Sequence, residues 1–109
     1  MTNQLVLIGR LIKEPEIVET ESKKNCNVTI AVNRNYKNAE GIYETDFMDV
    51  TIWEPIANNV IEYCHKGDLI GVRGRLETRT IANNNENKTK MIIIAERITY
   101  LSTKRSENE

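Results

Sequence analysis

The chain has 109 residues, of which 39% are hydrophobic and 28% charged, and glycine and proline together fill only seven positions. This composition is typical of one globular domain and excludes a disordered or collagen-like chain. The longest apolar runs have four or five residues, too short to cross a membrane, and no signal peptide pattern opens the chain. Two cysteines and one histidine cannot build a four-ligand zinc site alone. We therefore expect a cytoplasmic protein without a metal or another cofactor.

The net charge of −1 hides an uneven distribution along the chain. No Lys or Arg occurs between Lys37 and Lys66, whereas basic residues outnumber acidic ones from Lys66 to Lys90. An ordinary solvated surface shows similar fluctuations, so charge alone does not decide whether the chain has an anionic partner.

Alternation of apolar and polar residues predicts three strands in the first half of the chain. Leu5–Ile12 is rich in β-formers, and Gly9 within it predicts a bulge or a tight bend. Cys26–Tyr36 predicts a second, half-buried strand, and the turn residues at 37–41 predict a hairpin to a third strand at about Tyr43–Trp53. In that third strand one face is apolar and the other mixed: Met48, Val50 and Ile52 alternate with Phe47, Asp49, Thr51 and Trp53.

The second half of the chain predicts one helix and two more strands. Glu54-Pro55 opens a helix with apolar residues at helical spacing (Ile56, Val60, Ile61 and Cys64), and Gly67 predicts its end. Leu69–Ile81 alternates with Ile70, Val72 and Leu76 inward, and Lys90–Leu101 is the last strand. Five strands with one helix between the third and the fourth predict an all-β fold with one helix: an OB-fold, a five-stranded antiparallel Greek-key barrel.

Two large rings share the mixed face of the third strand. Phe47 and Trp53 stand there among Asp49 and Thr51, so this face is not a second core, and Tyr36 adds a ring on the adjoining strand. Rings on the outer face of an OB barrel can stack bases of any identity, at roughly 1–3 kcal/mol per base. The same rings also suit an interface with a neighbouring element or subunit, and the residues alone leave both possibilities open.

The fourth strand predicts a path for phosphates. Arg73, Arg75 and Arg79 are expected to point outward, where they would either be solvated or hold a phosphate chain beside stacked bases. Further candidates for phosphate contacts are Arg34, Lys37, Lys66, Lys88 and Lys90.

The chain offers little for catalysis. Cys64 and His65 are adjacent on the predicted helix, about 100° apart, so they cannot act as a nucleophile and its base. Cys64 is expected in the core, and no glycine-rich phosphate loop or metal-binding spacing occurs. We therefore predict that the protein is not an enzyme.

Several motifs together resemble one family. In order and spacing, the chain resembles bacterial single-stranded DNA-binding proteins of the SSB type over about residues 3–101. The matching stretches are Asn3–Leu11 with Pro15-Glu16, Ile30–Arg34, Thr45–Trp53, Tyr63–Gly67 and Val72–Arg79.

This resemblance implies a homotetramer that binds single-stranded DNA without sequence preference and coats it in replication, recombination or repair, at the nucleoid. It implies base stacking on Tyr36, Phe47 and Trp53. A further stacking position, a Trp in the best-known members, is Ile81 here and would give only an aliphatic contact. The basic contacts carry over most directly to Lys66 and Arg79. The alternatives are an OB-fold interaction module of a primosome or replication complex and an RNA-binding OB-fold; the DNA preference rests on the resemblance.

The chain departs from the family pattern at two other places. Glu54-Pro55 stands where a basic residue is frequent, which, together with Ile81, predicts weaker or more salt-sensitive binding. Residues 1–101 are expected to form the DNA-binding domain and 102–109 a short polar tail. That tail lacks an acidic tip containing Pro-Phe, so replication or recombination proteins are not expected to bind through it.

Overall fold

The computed structural model describes residues 1–102, which contain six strands and one helix. In chain order these are β1 (Leu5–Leu11), β2 (Ile17–Thr20), β3 (Lys23–Lys37), β4 (Tyr43–Trp53), α1 (Ile56–Tyr63), β5 (Leu69–Asn83) and β6 (Glu86–Ser102). The five predicted strands and the predicted helix are present. The short strand β2 was not predicted; it forms a hairpin with the start of β3, which therefore begins at Lys23 rather than at Cys26. Apart from Ser102, the predicted tail lies outside the described residues.

Five strands close the barrel in the order β1-β5-β6-β4-β3, and β3 returns to β1 at Leu11 and Ile30. Neighbouring strands are antiparallel except β4 and β6, which pair in parallel at Val50 and Thr51. The helix α1 connects β4 to β5 and packs against β3, β4 and β6. This is the predicted OB-fold, because a closed barrel of five strands with a helix between the third and the fourth defines that architecture.

Aliphatic side chains fill the barrel, and β4 shows the alternation that the sequence predicts. Val50 and Ile52 are fully buried, and Met48 is half-buried. Val60 of α1 belongs to the same cluster, and so does Cys64, which confirms that this cysteine is a core residue. Burial raises the pKa of the Cys64 thiol to about 11, so the thiol stays protonated and unreactive at neutral pH.

Gly9 allows two strands to approach closely where the barrel closes. A Cβ atom at this position would lie 2.6 Å from the carbonyl oxygen of Ala31 in β3. The pairing of β1 with β5 runs from Leu5 to Arg10 without a register shift, so β1 has no bulge at Gly9 in this pairing. The glycine is required instead for the close approach of the two backbones.

The helix is shorter than the sequence predicts. Pro55 is its N-cap, one residue before α1, and Cys64 is already extended with φ −104° and ψ 145°. Cys64 and His65 therefore do not lie on the helix, and this prediction is wrong in its geometry. The reason is tertiary, because the extended backbone at Cys64 carries its side chain into the core. Gly67, at φ 92°, belongs to the turn that follows the helix and does not end the helix itself.

The β5–β6 hairpin extends beyond the closed part of the barrel. β5 pairs with β1 only as far as Gly74. Beyond this point β5 pairs with β6 alone, and the two strands of this hairpin meet in a tight turn at Asn84 and Asn85, both with positive φ. Leu76 lies in this extension opposite Ile93, which packs against the core, so its predicted face is correct, but it is 40% exposed and does not belong to the buried core. Alternation alone could not reveal that the core ends before Leu76.

Candidate nucleic-acid interface

One face of β4 presents a row of side chains to the outside of the barrel. This outer row consists of Phe47, Asp49, Thr51 and Trp53, which alternate with the core residues of the same strand. Phe47 is 65% exposed and Trp53 is half-buried. The two rings are six residue steps apart along the strand, a span of about 20 Å. The predicted placement of both rings outside the core is confirmed.

A cleft of about 360 Å³ lies along the middle of the outer row. Its floor consists of polar side chains of β3 and β4, in which the Thr29 hydroxyl donates to Asp49 at 2.6 Å and the Thr51 hydroxyl donates to Asn27 at 3.0 Å. Lys13, from the connection between β1 and β2, and Lys90 of β6 line the same cleft. The cleft, which Val28, Met91 and Ile92 also line, therefore combines polar and apolar residues with two cations, between the two rings.

A second recess of about 310 Å³ lies at the Trp53 end of the outer row. Lys23 and Lys24, at the start of β3, line it together with Trp53 and Glu54. Neither lysine was predicted as a contact, because the β2–β3 hairpin that brings them here was not predicted. Lys13 was not predicted either, although the connection between the first two barrel strands commonly flanks the ligand face of an OB-fold.

Four predicted contact residues come together on one face of the β5–β6 hairpin. Arg79 pairs with Lys90, and Ile81 pairs with Lys88. Directly paired residues share a face, and residues two apart along a strand share it too. Because Lys90 lines the cleft, these four side chains continue the surface of the cleft along the hairpin.

Two of the predicted phosphate contacts are held in ion pairs. The Arg75 guanidinium lies 2.7 Å from a Glu77 oxygen and 3.1 Å from a Glu96 oxygen. Hydrogen bonds to Glu77, which has the larger effect, and to Glu96 raise the pKa of Arg75 further above its already high value. A phosphate would have to compete with these carboxylates.

Arg34 is held in the same way on the β3–β4 hairpin. Its Nε and Nη2 atoms donate to the two oxygens of Asp46 at 3.0 and 2.9 Å, and Nη1 donates to Glu44 at 2.7 Å. The hydrogen bonds from Arg34 lower the pKa of Asp46. The exposed Tyr36 ring lies beside this cluster, with its centroid 6.0 Å from the Arg34 Cζ atom. Glu44 and Asp46 alternate with Phe47 along β4, so this cluster belongs to the face opposite the outer row.

The remaining predicted cations lie elsewhere. Arg73 is directly opposite Val6 of β1 and Arg97 of β6, on the part of the barrel wall farthest along the sheet from β4. Lys66 lies in the turn after α1, where its backbone N–H donates to Glu14 at 2.5 Å. Lys37 lies at the end of β3, next to Tyr43. The structure therefore does not bring these three residues to the cleft.

Within residues 1–102, no group of three or more His, Cys, Asp and Glu side chains is arranged to hold a metal ion. The only helix of this described part, α1, falls far short of the length that a membrane-spanning helix requires.

A closed OB barrel with exposed rings and lysines across its outer strands defines an oligonucleotide-binding type of protein. Comparison with known proteins gives the particular family. Residues 2–101 match the model of the single-strand binding protein family. The chain is 42% identical over 106 residues to single-stranded DNA-binding protein 1 of Clostridium acetobutylicum, covering 94% of this chain and 96% of that protein.

Other relatives agree. Single-stranded DNA-binding protein B of Bacillus subtilis is 38% identical over 109 residues, which cover 98% of this chain and 96% of that protein. Among solved structures, a Plasmodium falciparum SSB complex with ssDNA superposes with a TM-score of 0.79 at 24% identity, covering 94% of this chain and 96% of that chain. This superposition supports the fold. The chain belongs to the single-strand binding protein family, a family of non-catalytic proteins, so both the suspected family and the prediction that it is not an enzyme are confirmed.

Proposed function

We propose that the protein binds single-stranded DNA without sequence preference, by stacking bases on the outer row and by attracting phosphates to the lysines around it. The observation that carries this proposal is the 65% exposure of Phe47 in a row that also borders a lysine-lined cleft. An apolar ring left in water among polar neighbours gains most from a planar, partly apolar ligand such as a base. The names of the curated relatives support the same ligand.

Phe47 and Trp53 are the central stacking platforms of this proposal. Ile81 adds an aliphatic contact on the β5–β6 hairpin, and Tyr36 would be reached only where a strand crosses the edge of the β3–β4 hairpin. Each stacked base contributes about 1–3 kcal/mol, whereas a surface ion pair contributes about 0–1 kcal/mol. We therefore assign most of the affinity to the rings and most of the salt dependence to the cations.

The cations nearest the row are best placed to contact phosphates. Lys13 and Lys90 line the cleft, and Arg79 and Lys88 continue it along the hairpin. Within residues 1–102 none of these four side chains is held in an ion pair, so each can contact a phosphate without first releasing a carboxylate. Arg34 and Arg75, in contrast, contribute mainly through the carboxylates that they already hold.

We also propose that the protein assembles as a homotetramer, as the family resemblance implies. Residues 5–9 of β1 pair with β5 along one edge, and the described residues leave the other edge unpaired. On the outer face of the same strand Val6 is 68% and Ile8 55% exposed. An open strand edge beside exposed aliphatic side chains is a surface that a second copy of the chain can cover.

The proposed ligand indicates the cellular processes in which we expect the protein to act. A non-catalytic protein that covers unpaired strands protects them and keeps them open during replication, recombination and repair. We expect it to act at the nucleoid, in the cytoplasm, where such strands arise.

Titration with oligo-dT tests the proposal, because Trp53 is the only tryptophan and lies in the outer row. We expect its fluorescence to be quenched, and Phe47→Ala to weaken binding by about 1–3 kcal/mol. Tyr63→Ala is the matched control, because this ring on α1 is similarly exposed but lies outside the row.

Unchanged fluorescence together with no mobility shift at low salt would overturn the proposal. Equal binding of oligo-U in competition would instead indicate an RNA-binding or general single-strand function. Loss of assembly in Trp53→Ala with intact DNA binding would favour the protein-interaction alternative.

A further inference from the structure

The outer row does not end at Phe47. β4 is a continuous strand from Tyr43 to Trp53, so side chains at odd positions share one face over its whole length. Tyr43 therefore stands on the same face as Phe47, about 13 Å farther along the strand. It is 57% exposed, comparable with Phe47, and lies on the part of the β3–β4 hairpin that projects from the barrel.

Lys37 stands directly opposite Tyr43 in the ladder. Its Nζ atom lies 5.6 Å from the centroid of the Tyr43 ring, within the range of a cation–π contact. The pair thus presents an aromatic surface and a positive charge side by side. This is the combination that a stacked nucleotide with its phosphate requires.

Tyr36 does not share this face. Asn33 of β3 pairs with Thr45, so odd positions of both strands belong to the outer face and Tyr36 belongs to the opposite one. It lies there beside Arg34, which is bound to Asp46. From Asn33 to Lys37, β3 has four residue steps where β4 has two, so two extra residues bring Lys37 opposite Tyr43.

The hairpin around Tyr43 is ordered by its own hydrogen bonds. The Asn38 side-chain oxygen accepts bonds from the backbone N–H groups of Glu40 and Ile42, and its Nδ2 atom donates to Glu44. Arg34 bridges Glu44 and Asp46 behind them. The ion pairs of Arg34 therefore have a structural role, since they fix the strand segment that presents Tyr43.

We propose that Tyr43 and Lys37 form an outer subsite of the single-strand interface, in which the ring stacks one base and the ammonium group contacts a phosphate. This inference rests on the proposed function and extends the outer row to three rings. A strand that occupies it runs from the lysine-lined cleft past Phe47 and along the hairpin. It follows that long oligonucleotides use the subsite, whereas an oligonucleotide just long enough for the cleft does not.

The test compares Tyr43→Ala with Tyr36→Ala, a substitution of the neighbouring exposed tyrosine on the opposite face. Binding of short and long oligo-dT is measured for both variants, for Tyr43→Phe and for the wild-type protein. We expect Tyr43→Ala to weaken binding of the long oligonucleotide about 5- to 150-fold and to leave the short one within about twofold. Tyr43→Phe should retain wild-type binding, and Tyr36→Ala should have the smaller effect. Lys37→Ala should lower the salt dependence for the long oligonucleotide alone.

The outcomes separate this inference from the proposed function. If the wild-type protein binds no oligo-dT, the proposed function fails. If Phe47→Ala weakens binding but Tyr43→Ala does not, only the outer subsite is overturned, and a larger loss for Tyr36→Ala overturns it in favour of Tyr36. Photocrosslinking of 5-iodouracil oligonucleotides gives a second measurement that does not depend on variants. Crosslinks at Tyr43 support the subsite, and their absence alongside crosslinks at Phe47 contradicts it.

Discussion

The outer surface of the barrel has two regions of opposite character, one on β4 and one on β1. Phe47 on β4 and Val6 on β1 are almost equally exposed, at 65% and 68%. Their neighbours differ, however. Phe47 is followed along its strand by a polar cleft with two lysines, whereas Val6 is followed by Ile8 on a strand with an open edge.

This contrast shows that exposure of an apolar side chain does not by itself identify its partner. A ring among hydroxyls, amides and cations suits a ligand with a planar base and a charged backbone. Aliphatic side chains beside unpaired backbone groups suit another strand of protein. The two surfaces can therefore serve DNA binding and self-assembly without competing, and each can be disrupted separately.

The largest expected effect is on assembly. Ile8→Asp would bury an unpaired carboxylate in the proposed contact between copies, at a cost on the order of several kcal/mol. We expect light scattering to show a loss of the tetramer. Val18→Asp is the control, because Val18 is a similarly exposed aliphatic residue on β2. An unchanged mass for Ile8→Asp, or a lower mass for Phe47→Ala, would mean that the two surfaces have been assigned the wrong way round.

The second-largest expected effect is on the salt dependence of DNA binding, through the two lysines of the cleft. The double substitution Lys13→Ala and Lys90→Ala should reduce the slope of log K against log salt concentration by about 1.4, since each phosphate contact contributes about 0.7 on a single strand. Arg97→Ala removes a charge from the β1 side of the barrel and should leave the slope unchanged. Binding isotherms at several salt concentrations measure both, and equal slopes for all three proteins would place the phosphates elsewhere.

A smaller effect is expected from the one carboxylate of the cleft. Asp49→Asn keeps an oxygen that can accept the Thr29 hydroxyl bond but removes a negative charge from the floor. We expect binding to become tighter by less than about 1 kcal/mol, because the site is open to screening solvent. Glu62→Gln makes the same chemical change on α1, outside the cleft, and should have no effect. Weaker binding by Asp49→Asn would show that the carboxylate itself holds the ligand.

The smallest effect is a pH dependence of the β3–β4 hairpin. The hydrogen bonds from Arg34 lower the pKa of Asp46 below its ordinary value of 3.8. The ion pair between Arg34 and Asp46 therefore stabilises the folded hairpin fully above about pH 4, and this stabilisation is lost as the pH falls through the lowered pKa of Asp46. The NMR shift of Tyr36 should move in that acidic range by more than it moves in Asp46→Asn. Identical titrations of both proteins would show that Arg34 and Asp46 do not order the hairpin in solution.

β4 shows which parts of the fold and of the candidate site the sequence predicts. Its alternation placed Met48, Val50 and Ile52 inward and both large rings outward, and this held because the strand is regular over its whole length. The order of strands and helix was sufficient for the OB-fold. The family motifs were also readable, since they depend only on residue types and spacing.

The sequence did not reveal places where two segments meet. Lys23 and Lys24 reach the candidate interface through a hairpin with β2 that has no strong local pattern, and Lys13 reaches it through the connection from β1 to β2. The partners of Arg34, and Glu96 as one of the two partners of Arg75, lie across strands, so these ion pairs depend on register.

The sequence by itself thus determined the barrel, the family and the two rings of β4, because each follows from local periodicity or from spacing along the chain. Only the tertiary structure decided which cation stands beside Tyr43. Two extra residues in β3 bring Lys37 opposite Tyr43, where regular pairing would place Asn35, and no count along one strand can detect an irregularity that is defined by its partner.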